Sequence, residues 1–98
     1  MAIGFRELIF HLQSPGPEVS QSQTVLFGGT VTFASAAMKG FDVVFDNGDH
    51  NIQQEIVRVN TTTTGPTVQV EATLLLRDNG TSNPFRGGIR VLVVAEHA

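Results

Sequence analysis

Residues 68–77, VQVEATLLLR, alternate with a period of two. Val68, Val70, Ala72, Leu74 and Leu76 fall on one face of an extended chain, and Gln69, Glu71, Thr73, Leu75 and Arg77 fall on the other. A helix would scatter these apolar positions around its axis, whereas a strand gathers them on one side. A strand with one apolar face is not stable alone; it needs neighbours in its own sheet and a second layer against that face. The rest of the 98-residue chain has to supply both.

Five further segments have a similar character. Residues 3–13 set Leu8, Phe10 and Leu12 against Phe5, Glu7, Ile9 and His11, and end at Ser14-Pro15-Gly16-Pro17, where the prolines lack an amide hydrogen. The loop is expected to continue through Ser20-Gln21-Ser22-Gln23. Residues 24–35 place Val25, Phe27, Val31 and Phe33 on one face, and Gly28-Gly29 in their middle marks a bulge, a bend or a close backbone approach. Residues 36–40 read as one helical turn or a crossover. Residues 41–46 point Phe41, Val43 and Phe45 inward and run into Asn47-Gly48, the strongest short hairpin signal. In residues 52–60 the apolar parity changes between Ile56 and Val57, which a bulge there would reconcile; residues 61–66 follow as a loop. Residues 89–95 are apolar on both faces, Ile89, Val91 and Val93 opposite Leu92 and Val94, which requires cover on both sides. No segment sustains a helical period. The expected fold is all-β, a single six-stranded antiparallel β-sandwich over residues 1–98, with a small closed barrel as its variant.

Charged residues make up 15% of the chain, against roughly 25% in ordinary soluble domains. That shortage, with Val44, Leu75, Leu92 and Val94 on outward positions, points to a patch buried between identical subunits in a cyclic dimer or trimer. A formal net charge of −3, with six Lys and Arg spread singly, offers no footprint for a phosphate backbone, so nucleic acid is not an expected partner. The absence of cysteine excludes disulfides and thiolate metal sites. No run approaches the ~18 apolar residues of a membrane span. Arg6 and Glu7 interrupt the first apolar run, which reads as a strand rather than a signal peptide.

Two polar loops carry the candidate binding residues. In Asp46-Asn47-Gly48-Asp49-His50-Asn51, carboxylates, amides and an imidazole could bind Ca²⁺ or hydrogen-bond to sugar hydroxyls. The spacing departs from an EF-hand loop, a tight turn alone demands Asp, Asn and Gly, and no metal ligand is assigned. The tripeptide recurs at Asp78-Asn79-Gly80, opening a loop that runs to Arg86 and includes Asn83, Pro84 and Phe85. That loop either binds a ligand or is anchored to the core by Pro84 and Phe85. In an up-and-down arrangement both loops leave the same end. The ligand-binding set is therefore Asp46, Asp49, His50, Asn51, Asp78, Asn79, Asn83 and Arg86. No nucleophile elbow, metalloprotease helix or phosphate loop occurs, and His11, His50 and His97 are isolated in sequence; no enzyme and no cofactor are expected.

The succession Val31-Thr32-Phe33-Ala34-Ser35, then Phe41-Asp42-Val43-Val44-Phe45, with the ending IRVLVVA at residues 89–95, resembles the H-type lectin domain. The resemblance implies a six-stranded sandwich that forms trimers and binds N-acetylgalactosamine or related sugars near subunit interfaces. The chain has no Trp or Tyr, so an aromatic platform for a sugar ring falls to Phe85 or His50. Two functions follow as expectations. One is a self-associating, lectin-like binding module for a carbohydrate or protein ligand. The other is a structural subunit, such as a phage or virus decoration protein or an appendage component. Either would work at an extracellular or virion surface.

Overall fold

The computed structural model describes residues 1–46, 54–77 and 83–98. Its strands are β1 (Ala2–Ser14), β2 (Glu18–Leu26), β3 (Val31–Phe45), β4 (Gln54–Thr64), β5 (Thr67–Arg77) and β6 (Phe85–His97). They form two three-stranded antiparallel sheets, sheet A in the order β1-β6-β3 and sheet B in the order β2-β5-β4. The expected all-β sandwich is therefore present. Among the described residues no helix is long and apolar enough to cross a membrane.

The core lies between the two central strands. The alternation of β5 delivers Val68, Val70, Ala72, Leu74 and Leu76, each at most 1% exposed, against Phe85, Ile89, Val91, Val93 and Ala95 of β6, all at 0%. Phe10 and Leu12 of β1, Val25 of β2 and Phe45 of β3 close the sides. Each large apolar side chain so buried contributes about 1.5–3 kcal/mol. With only three strands per sheet and strands of up to 15 residues, the molecule is a narrow rod of 50 × 19 × 17 Å. Its radius of gyration is 15.6 Å, against about 13 Å for a compact chain of this length. Such a shape leaves both outer sheet faces large relative to the core.

The strand boundaries differ from the sequence expectation in physically instructive ways. The run Ser20-Gln21-Ser22-Gln23, expected as loop, belongs to β2. There, hydrogen bonds replace apolar burial: Ser20 Oγ and Thr73 Oγ1 lie 2.8 Å apart, and Gln23 Nε2 donates to the Ile9 carbonyl at 2.8 Å, tying β2 to the edge of sheet A. Gly28-Gly29 is the bend and close backbone approach expected there, but it carries the chain from sheet B to sheet A and so divides residues 24–35 between two strands; a Cβ at Gly29 would overlap the Ala98 carbonyl oxygen. Residues 36–40 are neither helical turn nor crossover. They lie within β3, whose register shifts between Val31 and Phe33 and between Met38 and Gly40. The first shift turns Phe33, expected on the Val31 face, out to 59% exposure.

The bulge expected between Ile56 and Val57 is absent, because the β4–β5 register is unbroken. Val57 and Val59 pair with Leu74 and Ala72 on the core side, while Ile56 lies outward beside Leu75. The threonines 61–64, expected as loop, complete β4. β6 starts at Phe85 rather than at residue 89, so Arg86, Gly87 and Gly88 are strand residues.

Candidate functional site

Antiparallel pairing decides which connections share an end. Phe85 is in register with both Ser14 and Phe45, and Gln54 with Arg77, so the 15–17 turn, the connection after Phe45 and the connection after Arg77 emerge together. The Asp46 amide donates to the Pro84 carbonyl at 3.0 Å, and Arg86 Nη1 donates to Asp46 Oδ1 at 3.4 Å. Beneath them the Leu76 amide donates to the Pro17 carbonyl, and Gly16, at φ 98°, sits so close to Asn83 that a Cβ would lie 2.7 Å from its carbonyl oxygen. Only glycine is suited to that conformation and that approach. Ser14 Oγ secures the turn by accepting from the Gly16 amide and donating to the Glu18 carbonyl.

Of the expected binding residues, Asp46, Asn83 and Arg86 thus meet at one end of the sandwich. Asp49, His50, Asn51, Asp78 and Asn79 lie outside the described residues. Arg86 is not in a loop but on the outer face of β6. Phe85 is fully buried and cannot serve as a sugar platform.

The outer face of sheet A carries a feature that the sequence expectation lacks. In successive layers across β1, β6 and β3 it presents Ile9 beside Arg90, then His11, Gly88 and Asp42, then Gln13, Arg86 and Val44. Gly88 puts no side chain between His11 and Asp42, and an open groove of about 860 Å³ runs through the gap. Its walls include Ile9, His11, Asp42 and Val44, its floor is the backbone of residues 87–88, and Arg86 and Arg90 stand at either end. Period-two alternation puts both arginines on the same side of β6 as the missing Gly88 side chain. Arg86 pairs with Asp46, whereas Arg90 has no ion-pair partner within bonding distance among the described residues. No three His, Asp or Glu side chains among the described residues gather closely enough to hold a metal ion. The groove can donate hydrogen bonds through guanidinium and imidazole groups and accept them through Asp42.

A signal for this groove exists in the sequence: Arg86-Gly87-Gly88-Ile89-Arg90, read as a strand, places two arginines around a bare glycine. Assigning residues 85–88 to a loop hides it. His11 and Asp42 join them only through strand register, which sequence alone does not fix.

The other half of this face groups exposed apolar side chains around Glu96, Glu7 and Lys39. Ile3, Phe5 and Phe33 are 59–61% exposed, beside half-buried Val94 and Leu92. Lys39, the extra residue at the second register shift of β3, meets Glu7 of β1 at 2.8 Å. Its hydrogen bond, and then its charge, with Arg90 adding a smaller effect, hold the Glu7 carboxyl below the ordinary glutamate value. The outer face of sheet B is more polar, with Ser22, Thr24, Arg58, Asn60, Gln69 and Glu71 outward, though Leu26 is exposed at its edge and Ile56 lies beside Leu75. Of the four residues expected to form one apolar patch, Val44, Leu92 and Val94 share the face of sheet A. Leu75 does not; it is 8% exposed on sheet B, next to Ile56. Comparison with known proteins finds no matching family model, no matching curated protein and no matching solved structure.

Proposed function

We propose that this chain is a non-catalytic binding module that assembles with copies of itself as a trimer or dimer. In this reading it is lectin-like and presents residues 46–51 and 78–86 to a carbohydrate or protein ligand. The observation that carries the proposal is the difference between the two outer faces. Sheet B turns mostly hydroxyl, amide and charged groups outward, with Leu26 its one strongly exposed large apolar side chain among the described residues, while sheet A exposes Ile3, Phe5, Ile9, Phe33 and Val44 at 49–61%. Scattered apolar side chains are ordinary on a surface, but the grouping of Ile3, Phe5 and Phe33 around Val94 at one end of sheet A supports a contact there. Three strands ~4.8 Å apart give the half of the face beyond Arg90 a flat footprint of roughly 300 Å² before side-chain relief, the size of an apolar patch that marks a contact and part of the ~800 Å² per partner of a standard interface. The sugar-binding part is supported by the likeness to H-type lectins and by the hydrogen-bonding groups at the loop end.

Sedimentation equilibrium of the wild type and of an Ile3→Ser/Phe5→Ser variant tests assembly. A closed oligomer that dissociates in the variant is expected, and a wild type that is monomeric at micromolar concentration refutes it. Titration with N-acetylgalactosamine and other amino sugars, with Asp49→Ala and Arg86→Ala as controls, tests the ligand; no binding at millimolar sugar removes the carbohydrate part. The narrow 50 Å rod also suits a structural subunit of a virion surface or appendage. Open polymerisation instead of a closed oligomer would favour that second reading.

A further inference from the structure

We infer that the groove over Gly88 binds a small hydroxylated organic carboxylate, such as a hydroxy acid or an acidic sugar. The inference deepens the binding-module reading by naming a ligand class, at a place distinct from the tips of the two polar loops. It begins with the two glycines. A Cβ at Gly87 would meet the Asp42 carbonyl oxygen, Leu74 Cδ1 at 2.9 Å and Val43 Cα at 3.1 Å, so sandwich structure alone requires glycine there. Gly88 is different: a Cβ would meet only the end of the exposed Asp42 side chain, Oδ1 at 3.0 Å, and the Phe10 carbonyl oxygen at 3.5 Å. Glycine weakens a central strand, and here the one close neighbour is a side-chain end that can turn aside, so glycine leaves backbone reachable beside the Asp42 carboxylate.

The groups around that floor define the ligand. Arg90 offers a planar fork suited to the two oxygens of a carboxylate. Arg86 stands at the other end of the groove, with part of its hydrogen-bonding capacity engaged by Asp46. His11 and Asp42 flank the floor, one on each side in register with Gly88, so Asp42 can accept from a hydroxyl of a ligand lying on the glycine. Ile9 and Val44, on the outward side of β1 and β3, supply apolar wall for a carbon skeleton. The volume of about 860 Å³ falls in the range of small-molecule sites and has room for a sugar ring. Asp42 and the chain's net charge of −3 disfavour polyanions, which separates this site from a phosphate-backbone groove.

The test is a titration of ¹⁵N-labelled full chain with sodium glucuronate, sodium lactate, glucose and inorganic phosphate, monitored by amide chemical shifts. Glucuronate is expected to shift the Gly87, Gly88, Arg90 and His11 amides saturably at millimolar concentration, and glucose to leave them in place. Lactate weaker than glucuronate assigns the groove to an acidic sugar; the reverse assigns it to a free hydroxy acid. Arg90→Gln and Gly88→Ala, each with an unchanged circular dichroism spectrum, should weaken glucuronate binding by about tenfold or more. Asp49→Ala, which tests the loop-tip reading, should not weaken it, so the two readings can fail separately. The same titration on Phe5→Ser reveals a groove closed by assembly: saturable shifts in either protein support the site. Saturable shifts in neither overturn it, as do equal shifts from glucose and glucuronate or phosphate binding as tight as glucuronate.

Discussion

Gly87 and Gly88 are adjacent on one central strand, yet alanine should have opposite effects at the two positions. In a strand, replacing glycine by alanine stabilises by roughly 0.5–1 kcal/mol, because the unfolded chain loses freedom. At Gly87 the added methyl enters the space of the Asp42 carbonyl oxygen and approaches Val43 Cα at 3.1 Å and Leu74 Cδ1 at 2.9 Å. Two of those three contacts are backbone atoms of β3, which cannot rotate away. Overpacking of this kind costs about 1–3 kcal/mol. With the clash against backbone near the upper end, the net loss is about 1–2 kcal/mol. For a domain of this size that lowers Tm by roughly 5–15 °C. At Gly88 the nearest contact is the exposed Asp42 carboxylate, which can turn aside, so Gly88→Ala should leave Tm unchanged or raise it by a few degrees. Urea and thermal unfolding followed by circular dichroism measure both, at matched concentrations because self-association shifts apparent stability. Gly87→Ala at or above wild-type stability, or Gly88→Ala as damaging as Gly87→Ala, would refute the distinction between a glycine the sandwich requires and one it does not.

Other positions give equally direct tests. Phe10→Ala, at a fully buried site, should cost about 3–5 kcal/mol in urea unfolding, a large part of the total stability of a domain this small. Of the Ser20–Thr73 hydroxyl pair, Ser20 is exposed and Thr73 is 5% exposed, so Ser20→Ala strands a buried hydroxyl and should cost about 1–3 kcal/mol. Thr73→Val keeps the shape and leaves only a group that water can reach, so it should be close to neutral; the reverse order in unfolding measurements would contradict this account. Glu7 is held below the ordinary glutamate value of 4.5 by Lys39, so any stabilisation from the pair is fully present above pH 4.5 and is lost as pH falls through the lower folded value. Carboxyl-carbon NMR should show the Glu7 titration returning toward 4.5 in Lys39→Ala; an unmoved midpoint would exclude Lys39 as the cause.

What is legible in the sequence depends on whether the local pattern of one strand is enough. The strands with strict alternation, β5 above all, are placed closely by it, because the period of two decides both the strand and its buried face. Residues 18–23 of β2 escape it because edge-strand hydrogen bonds to Thr73 and Ile9 replace the apolar residues that reveal a strand. β3 looks divided because Ala36, Ala37 and Gly40 lack strand propensity; β6 supplies the ladder that holds them extended. The meeting of Asp46 with Arg86 follows from the expected common end of the two loops. The groove does not, because Ile9, His11 and Asp42 reach it through pairing across three strands separated widely in sequence.

The two central strands differ on their outer faces. β5 and β6 occupy equivalent positions, since each is flanked by two strands and points one face into the shared core. Those positions account for Val68, Val70, Ala72, Leu74 and Leu76 in one and for Phe85, Ile89, Val91, Val93 and Ala95 in the other. They do not constrain the outward residues, and there the strands diverge. β5 turns Gln69 and Glu71 outward, with Thr73 and Leu75 on the same side but nearly covered, while β6 turns Leu92 and Val94 outward beyond Arg86 and Arg90, with Phe5 and Phe33 nearby on the flanking strands. The core therefore does not explain the difference between the two outer faces, which is why the proposal of self-assembly rests on it. The same face changes character at Arg90, where apolar side chains give way to guanidinium, imidazole and bare backbone. One sheet therefore has two kinds of surface, one with Phe5, Leu92, Val94 and Phe33 and one with Arg86, His11, Asp42 and Arg90 around Gly88, and the two proposals above assign a copy of the chain to the first and a small ligand to the second. Variants at Phe5 and at Arg90 can separate the two.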